Sequence, residues 1–252
     1  MKNLSVIVPY RDTPYSPFGR FLQSVGPAIG KQIDWELIIV DDASRKPLET
    51  SAQVLKTSFG NRIKIVTHAH HQGIGEARNT GFRASLGEYV FMCDSDDVLR
   101  VGSIERMMSA ATPRRVVYAD HVVHDTIQGQ TYNRRKEHWQ RILEAFGGTE
   151  NCPLLFCNFV GLPVLLSRTT MKRTGGYPRA RSAGEHVAFY GALSRDASVE
   201  FFHHAYMAYE YWIRVDGISS SNRGGTQRQK ESLFRWKPKR EATLNGVSRE
   251  SS

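Results

Sequence analysis

Cysteine is scarce in this chain. Only Cys93, Cys152 and Cys157 carry thiols among 252 residues, and their spacing matches no zinc or redox motif. An odd number of thiols without a leader pattern excludes a disulfide scaffold and leads us to expect a reducing, cytoplasmic setting. The apolar run from Leu4 to Pro9 is too short for a secretory core and has no cleavage pattern. No stretch approaches the roughly 20 apolar residues of a membrane span, so any membrane contact is expected to be peripheral. No internal repeat is found. Acidic residues are in the minority, 25 against 34 lysines and arginines, a net charge of +9. That balance favours an anionic partner without saying which: nucleotide, nucleic acid, phospholipid or acidic polymer.

What is present is an ordinary globular mixture, 40% hydrophobic and 23% charged, long enough for one full core or one core with a small appendage. The first half alternates strand and helix signals. Leu4–Pro9, Trp35–Val40, Ile63–Val66, Tyr89–Cys93 and Val116–Tyr118 read as strands. Helical spacing is seen at Phe18, Phe21, Leu22, Val25 and Ile29, along Leu48, Ala52, Leu55 and Phe59, over 75–85 and over 103–111. Gly26-Pro27 is expected to end or kink the first helix, and Gly60 to cap the second. Strands alternating with helices predict an α/β fold, a doubly wound, mostly parallel sheet. The second half is less regular. Residues 121–150 read as a polar loop and then a helix around Trp139–Phe146. Strands are expected near Val164–Leu166, at Glu200–Phe202 and at Tyr206–Val215. The Ser-, Gly-, Arg- and Lys-rich stretch from Ser219 onward is expected to be mobile in part.

Chemistry concentrates at three strand ends: Tyr10-Arg11-Asp12, Asp41-Asp42 and Asp94-Ser95-Asp96-Asp97. In a parallel sheet these ends share one edge, where α/β proteins bind nucleotides. Carboxylates packed as closely as Asp94, Asp96 and Asp97 repel unless a cation lies between them. Hard oxygen donors suit Mg2+ or Mn2+, which typically bridge a few carboxylates to substrate phosphates. The alternative for this run is a solvated acidic turn capping a helix that starts near Val101.

Four pieces in order carry a resemblance to the family 2 glycosyltransferases: Ser5-Val6-Ile7-Val8-Pro9; Glu36-Leu37-Ile38-Ile39-Val40-Asp41-Asp42-Ala43-Ser44; Gly73-Ile74-Gly75-Glu76-Ala77-Arg78-Asn79-Thr80-Gly81; and Gly87-Glu88-Tyr89 through Asp97. The resemblance implies a GT-A fold: a Rossmann-like sheet flanked by helices, with a smaller mixed subregion on the acceptor side. It implies one catalytic domain over 1–221, a nucleotide-sugar half (1–100) and an acceptor half (101–221), followed by a basic tail (222–252). It further implies that Pro9 and Asp42 meet the base and ribose, and that Arg78 meets the diphosphate. Tyr10, Arg11, Gly73, Asp94 and Ser95 complete the donor contacts. Asp96 is the expected direct metal ligand, with Asp94 at the sugar, the ribose or a metal-bound water. One of Asp41 and Asp42 is expected only to cap a turn, and Asp97 to support the metal site or a helix start.

Two positions depart from the family pattern. After the Gly175-Gly176 turn the family has a Glu-Asp pair that supplies the base; here the pair is Glu185-His186. Either could take the acceptor proton, a free imidazole titrating at about 6.5. Near the C-terminal end Asp216 occupies a position where the family has His, and as an oxygen donor it is a third candidate metal ligand. The two changes mirror each other, and His186 and Asp216 are expected to face each other across the cleft. His68, His70 and His71 precede the glycine loop and read as part of a donor-site loop rather than a zinc site.

The implied activity is metal-dependent, inverting transfer of a sugar from a nucleoside diphosphate, UDP foremost, to a glycan or lipid-linked glycan. A catalytically silent nucleotide-sugar-binding scaffold is the alternative. A nucleotidyltransferase would need a glycine-rich loop after the first strand, and Tyr10-Arg11-Asp12-Thr13-Pro14 has no glycine. No nucleic-acid-binding motif is present, so nucleic acid is not an expected partner. Leu233-Phe234-Arg235-Trp236-Lys237-Pro238-Lys239-Arg240 interleaves aromatics with cations, which suits the inner face of an anionic membrane.

Overall fold

The computed structural model describes residues 3–48, 52–134, 162–178 and 185–215. Its first half alternates as expected: β1 (Leu4–Tyr10), α1 (Tyr15–Ile29), β2 (Trp35–Asp41), α2 (Ala52–Phe59), β3 (Ile63–Thr67), α3 (Ile74–Ala84) and β4 (Tyr89–Met92). β1 pairs in parallel with β2 and β4, and β2 with β3. The ends of β1, β2 and β4 therefore meet at one edge. β1 and β2 are mostly apolar because both of their faces are covered, and their buried polar pair is satisfied within the sheet, Ser5 donating to Glu36 at 2.6 Å. Leu4, Val6 and Val8 pack with Phe18, Phe21 and Val25 on one side, while Ile7 joins Val90 and Met92 on the other. α3 lies close on this second face through Gly81, where any Cβ would run into the Ile7 side chain.

The second half contributes β5 (Val98–Leu99), α4 (Ser103–Ser109), β6 (Arg115–Asp125), β7 (Gln130–Arg134), β8 (Val164–Ser167), α5 (Arg168–Arg173), α6 (Glu185–Leu193) and β9 (Glu200–Ile213). The sheet order is β3-β2-β1-β4-β8-β6-β9-β5, with β7 paired to β6. β8 is antiparallel to both β4 and β6, so β6 again runs with β4. The mixed part of the sheet thus begins beside the acidic strand end. Among the described residues no helix is long and apolar enough to cross a membrane.

The structure differs from expectation in three places. α1 continues through Pro27 to Ile29 and ends at Gly30, φ 79°. Pro27 lies in the last turn, so the helix forgoes one late hydrogen bond instead of breaking. Residues 121–134 are not a loop: His121 to Asp125 complete β6, and β7 folds back on them. Their polar rings are absorbed by cross-strand stacking, His121 on Tyr209 at 4.6 Å and His124 on Trp212 at 4.1 Å. The strands expected at 200–202 and 206–215 are one strand, β9, whose register against β6 shifts on either side of Asp120. The helix expected over 103–111 is α4, which starts at Ser103 after Gly102 with no side-chain cap, so the alternative in which the acidic run caps it does not hold. The helix expected at Trp139–Phe146 and the tail from Ser219 lie outside the described residues.

Candidate active site

The end of β2 holds two carboxylates with different duties. Asp41 accepts the backbone N–H of Ser44 at 2.9 Å and of Leu48 at 2.7 Å, which makes it the cap of its own turn. Asp42, 3% exposed, reaches across to the loop before α3. One carboxylate oxygen takes His68 Nδ1 at 2.8 Å and the Gln72 N–H at 2.8 Å. The other takes His71 Nδ1 at 2.7 Å and the Gly73 N–H at 2.9 Å. Burial opposes the charge of Asp42, but these four donors outweigh it and hold the pKa below the ordinary carboxylate value. His68 and His71 thus anchor the glycine loop, and Gly73 itself, φ 96°, supplies a backbone that only glycine adopts without strain.

The end of β4 is built differently. Asp94 accepts Arg78 Nη2 at 2.7 Å, and Asp96 accepts Arg214 Nη1 at 2.9 Å. Burial and then the charge of Asp94 push the pKa of Asp96 up, with Arg214 opposing. Asp97 is 1% exposed and raised well above the usual range by burial and by both neighbouring carboxylates. Its Oδ1 is buried without a hydrogen-bond partner. Ser95 is buried, and its hydroxyl shares a hydrogen bond of 2.6 Å with Thr13 Oγ1, tying this strand end to the loop after β1.

α6 brings the third component. Arg78, on α3 and 1% exposed, donates through Nη1 to Glu185 Oε1 at 2.6 Å. One guanidinium therefore joins Asp94 to Glu185, and it lies 5.2 Å from the centre of the Tyr177 ring. Burial disfavours the charge on Glu185, yet the His186 ring and Arg78 bring its pKa down to about 2. His186 is more open, with 29% of its side chain exposed, and its Nδ1 lies 3.6 Å from Glu185 Oε1. Asn79, which the sequence reading did not single out, fixes the approach to α6. Its amide accepts the Tyr177 N–H at 2.8 Å and donates to the Tyr177 carbonyl at 2.9 Å. An amide one residue after Arg78 was the available signal: its paired donor and acceptor can mimic a backbone.

A cavity of about 370 Å³ opens between the ends of β1 and β2, lined by Tyr10, Asp12, Thr13, Arg45 and Lys46. Of the expected donor contacts, Tyr10 lines it. Pro9 is buried in β1, and Arg11 is exposed on the loop. Asp12 secures the wall by accepting the Arg45 N–H at 2.9 Å.

Among the described residues no three His, Cys, Asp or Glu side chains converge as a ready metal site. Asp216, the third expected ligand, lies outside them, so its pairing with His186 is not described either. The chemistry at β4 nevertheless fits a hard divalent cation. Mg2+-type ions commonly take only one or two carboxylates and complete their shell with substrate phosphates and water. Asp94 and Asp96 are such a pair, and the neighbouring Asp97 keeps a buried Oδ1 without a hydrogen-bond partner.

The model for Glycosyl transferase family 2 matches residues 5–173. The poly(ribitol-phosphate) beta-N-acetylglucosaminyltransferase TarP of Staphylococcus aureus (strain N315) is 36% identical over 105 residues, which is 42% of this chain and 32% of that protein. Glycosyltransferase GlyG of Streptococcus pneumoniae serotype 4 is 27% identical over 135 residues, 51% of this chain and 42% of that one. The matches thus span less than half the length of either relative. Among solved structures, S. aureus TarS in complex with UDP-GlcNAc superposes with a TM-score of 0.63 at 18% identity, covering 88% of this chain and 61% of that one. GalNAc-T7 with UDP, GalNAc and Mn2+ gives 0.64 at 13% identity, covering 86% and 45%.

Proposed function

The chain belongs to glycosyl transferase family 2 and has the GT-A fold, and from that premise we propose that it transfers a sugar from a nucleoside diphosphate, UDP foremost, to a hydroxyl of a glycan or lipid-linked glycan. The observation that carries this reading is the Asp94–Arg78–Glu185 chain, which links the acidic end of β4 through one buried arginine to Glu185, the neighbour of the candidate base His186. The donor's nucleoside is assigned to the cavity beside Tyr10, in the half spanning 1–100, and the acceptor to residues 101–221. The names of the UDP-bound neighbours support UDP, and the net charge of +9 suits an anionic donor or acceptor polymer.

A cation of the Mg2+ or Mn2+ type, held by Asp94 and Asp96 with Asp216 as a further candidate, would supply charge neutralisation for the departing diphosphate. The acceptor oxygen attacks the anomeric carbon in a single displacement, which inverts it. We assign the acceptor proton to His186. Glu185, brought down to about 2 with its charge held by Arg78, is a weak base at neutral pH and instead stands as an anionic neighbour to the imidazolium that forms. The basic stretch Leu233 to Arg240, outside the described residues, is assigned peripheral contact with an anionic membrane, where a lipid-linked acceptor would lie.

The test is a thermal-shift panel of UDP, GDP, dTDP and CMP, each with Mn2+, Mg2+ or chelator. Ligand at a hundred times its dissociation constant stabilises by about 2.7 kcal/mol. A metal-requiring shift with UDP, and turnover lost in His186→Ala while the shift remains, is the expected result. No shift with any nucleotide contradicts the reading. A shift without turnover in the wild type, with acceptors supplied, favours the silent donor-binding alternative.

A further inference from the structure

We propose that Arg20 and Trp212 form a subsite for an anionic group of the acceptor, so that the glycan receiving the sugar is an acidic one, bearing phosphodiester or carboxylate groups. The proposal rests on the function assigned above and names an acceptor class for it. Arg20 lies on α1 and Trp212 on β9, beyond β4 in the sheet order, where the acceptor is assigned. Two residues past Trp212, Arg214 bonds Asp96 at 2.9 Å, so the pair stands beside the proposed transfer site.

Arg20 is held unlike the other arginines near the site. Arg78 and Arg214 are each bound by carboxylates. Among the described residues no carboxylate and no hydrogen-bond acceptor engages Arg20. Its guanidinium lies over the Trp212 ring, 4.3 Å from the centre, and its Nε is buried without a partner. Trp212 Nε1 is likewise buried without one. Native structures rarely keep a buried donor unpaired unless a ligand, ion or water completes it. Here two such donors belong to side chains in contact, one of them cationic, and an oxyanion answers both. Glu210, two residues earlier on β9, is already engaged by Arg100 at 3.7 Å and His124 at 3.2 Å. The pair is also held in place from both sides. Trp212 stacks on His124 at 4.1 Å, and His124 shares a hydrogen bond of 3.2 Å with Thr131. Ser24, one turn after Arg20, accepts the Leu99 N–H at 3.1 Å, which anchors α1 to β5 at the same edge of the sheet. A guanidinium lying over an indole keeps its N–H edge for a planar oxyanion, which accepts it in bidentate fashion. The nucleoside and diphosphate are assigned to β1, β2, α3 and the end of β4, so this anion falls to the acceptor. The net charge of +9 favours the approach of an acidic polymer.

The experiment is binding of three probes to the whole chain by titration calorimetry: a glycerol-phosphate oligomer, an oligogalacturonate and a neutral malto-oligosaccharide of equal length. The proteins are the wild type, Arg20→Gln, Arg20→Lys and, as a charge control, Lys31→Gln, whose side chain is exposed beyond the far end of α1. The expected result is that the wild type binds one of the acidic probes and not the neutral one. Arg20→Gln should bind that probe at least about tenfold more weakly, the size of one charge-assisted hydrogen bond. Arg20→Lys, which keeps the charge and loses the planar fork, should fall between, and Lys31→Gln should match the wild type. UDP affinity in Mn2+ should be unchanged in Arg20→Gln. No binding of either acidic probe by the wild type, or equal weakening in Arg20→Gln and Lys31→Gln, overturns the proposal. A loss of UDP affinity in Arg20→Gln as large as the loss of probe affinity puts the anion on the donor and also overturns it. A wild type that binds an acidic probe through Arg20 but no nucleotide overturns the proposed function and leaves the anion subsite standing.

Discussion

At the end of β2, Asp42 accepts four hydrogen bonds from one loop and is held ionised by them. At the end of β4, on the same sheet edge, Asp94 and Asp96 each take one arginine, and Asp97 keeps a buried oxygen with no partner. A carboxylate offers about four lone-pair sites, so Asp42 is close to filled, and what it holds in place is the glycine loop. In the β4 group burial first, and the neighbouring carboxylates after it, push Asp96 and Asp97 above the usual range. Equal acidity in sequence therefore hides two different environments: one carboxylate is tied into the wall of the site, and the other group, paired with arginines, is where the proposed cation would sit.

The contrast can be broken one carboxylate at a time. Asp96→Asn should show the largest effect, a fall in kcat/KM on the order of a thousandfold, typical for lost transition-state charge stabilisation, with no loss in Tm. Glu185→Gln tests a carboxylate that, like Asp42, is held below the ordinary carboxylate value by its partners. It leaves Arg78 without one of its buried partners and should cost about 3 kcal/mol at neutral pH, measured by urea unfolding. The sign with pH follows from a folded pKa of about 2 against an ordinary 4.5. The wild type's advantage over the variant is complete above about pH 4.5 and disappears as pH falls toward 2. Asp42→Ala should cost a similar or slightly smaller amount, about 2–3 kcal/mol for the lost charge-assisted bonds, with Tm down by several degrees. Asp97→Asn should have the smallest effect and the opposite sign: removing a buried, repelling charge raises Tm by a few degrees or leaves it unchanged. A Tm loss there as large as that of Asp42→Ala would erase the distinction between the two strand ends.

The legible part of this molecule was the part whose signals are local. β1 and β2 declare themselves through Val- and Ile-rich runs, and the parallel order then brings Asp42 and Asp94 to one edge without further information. The Asp94-Ser95-Asp96-Asp97 run and the Glu185-His186 pair could also be picked out from sequence. What could not be read depends on partners far along the chain. Asp42 is explained only by His68 and His71, and Arg78 only by Glu185. β6 looked like a loop beyond Tyr118 because His121, His124 and Asp125 are polar. Their partners, Tyr209 and Trp212, lie on a strand that is itself interrupted by register shifts. Pro27 misled for the converse reason: its local rule is real, but one lost hydrogen bond in a last turn costs too little to stop a helix whose Val25, Ala28 and Ile29 are fully buried.

The most direct test of the account is anomalous scattering from crystals of the chain grown with UDP and Mn2+. The account predicts a manganese peak within coordination distance of an Asp96 oxygen, bridging to the diphosphate, with Asp42 still bound to His68 and His71. Ordered UDP with no peak at Asp96, or a peak seated on Asp42 instead, would contradict it.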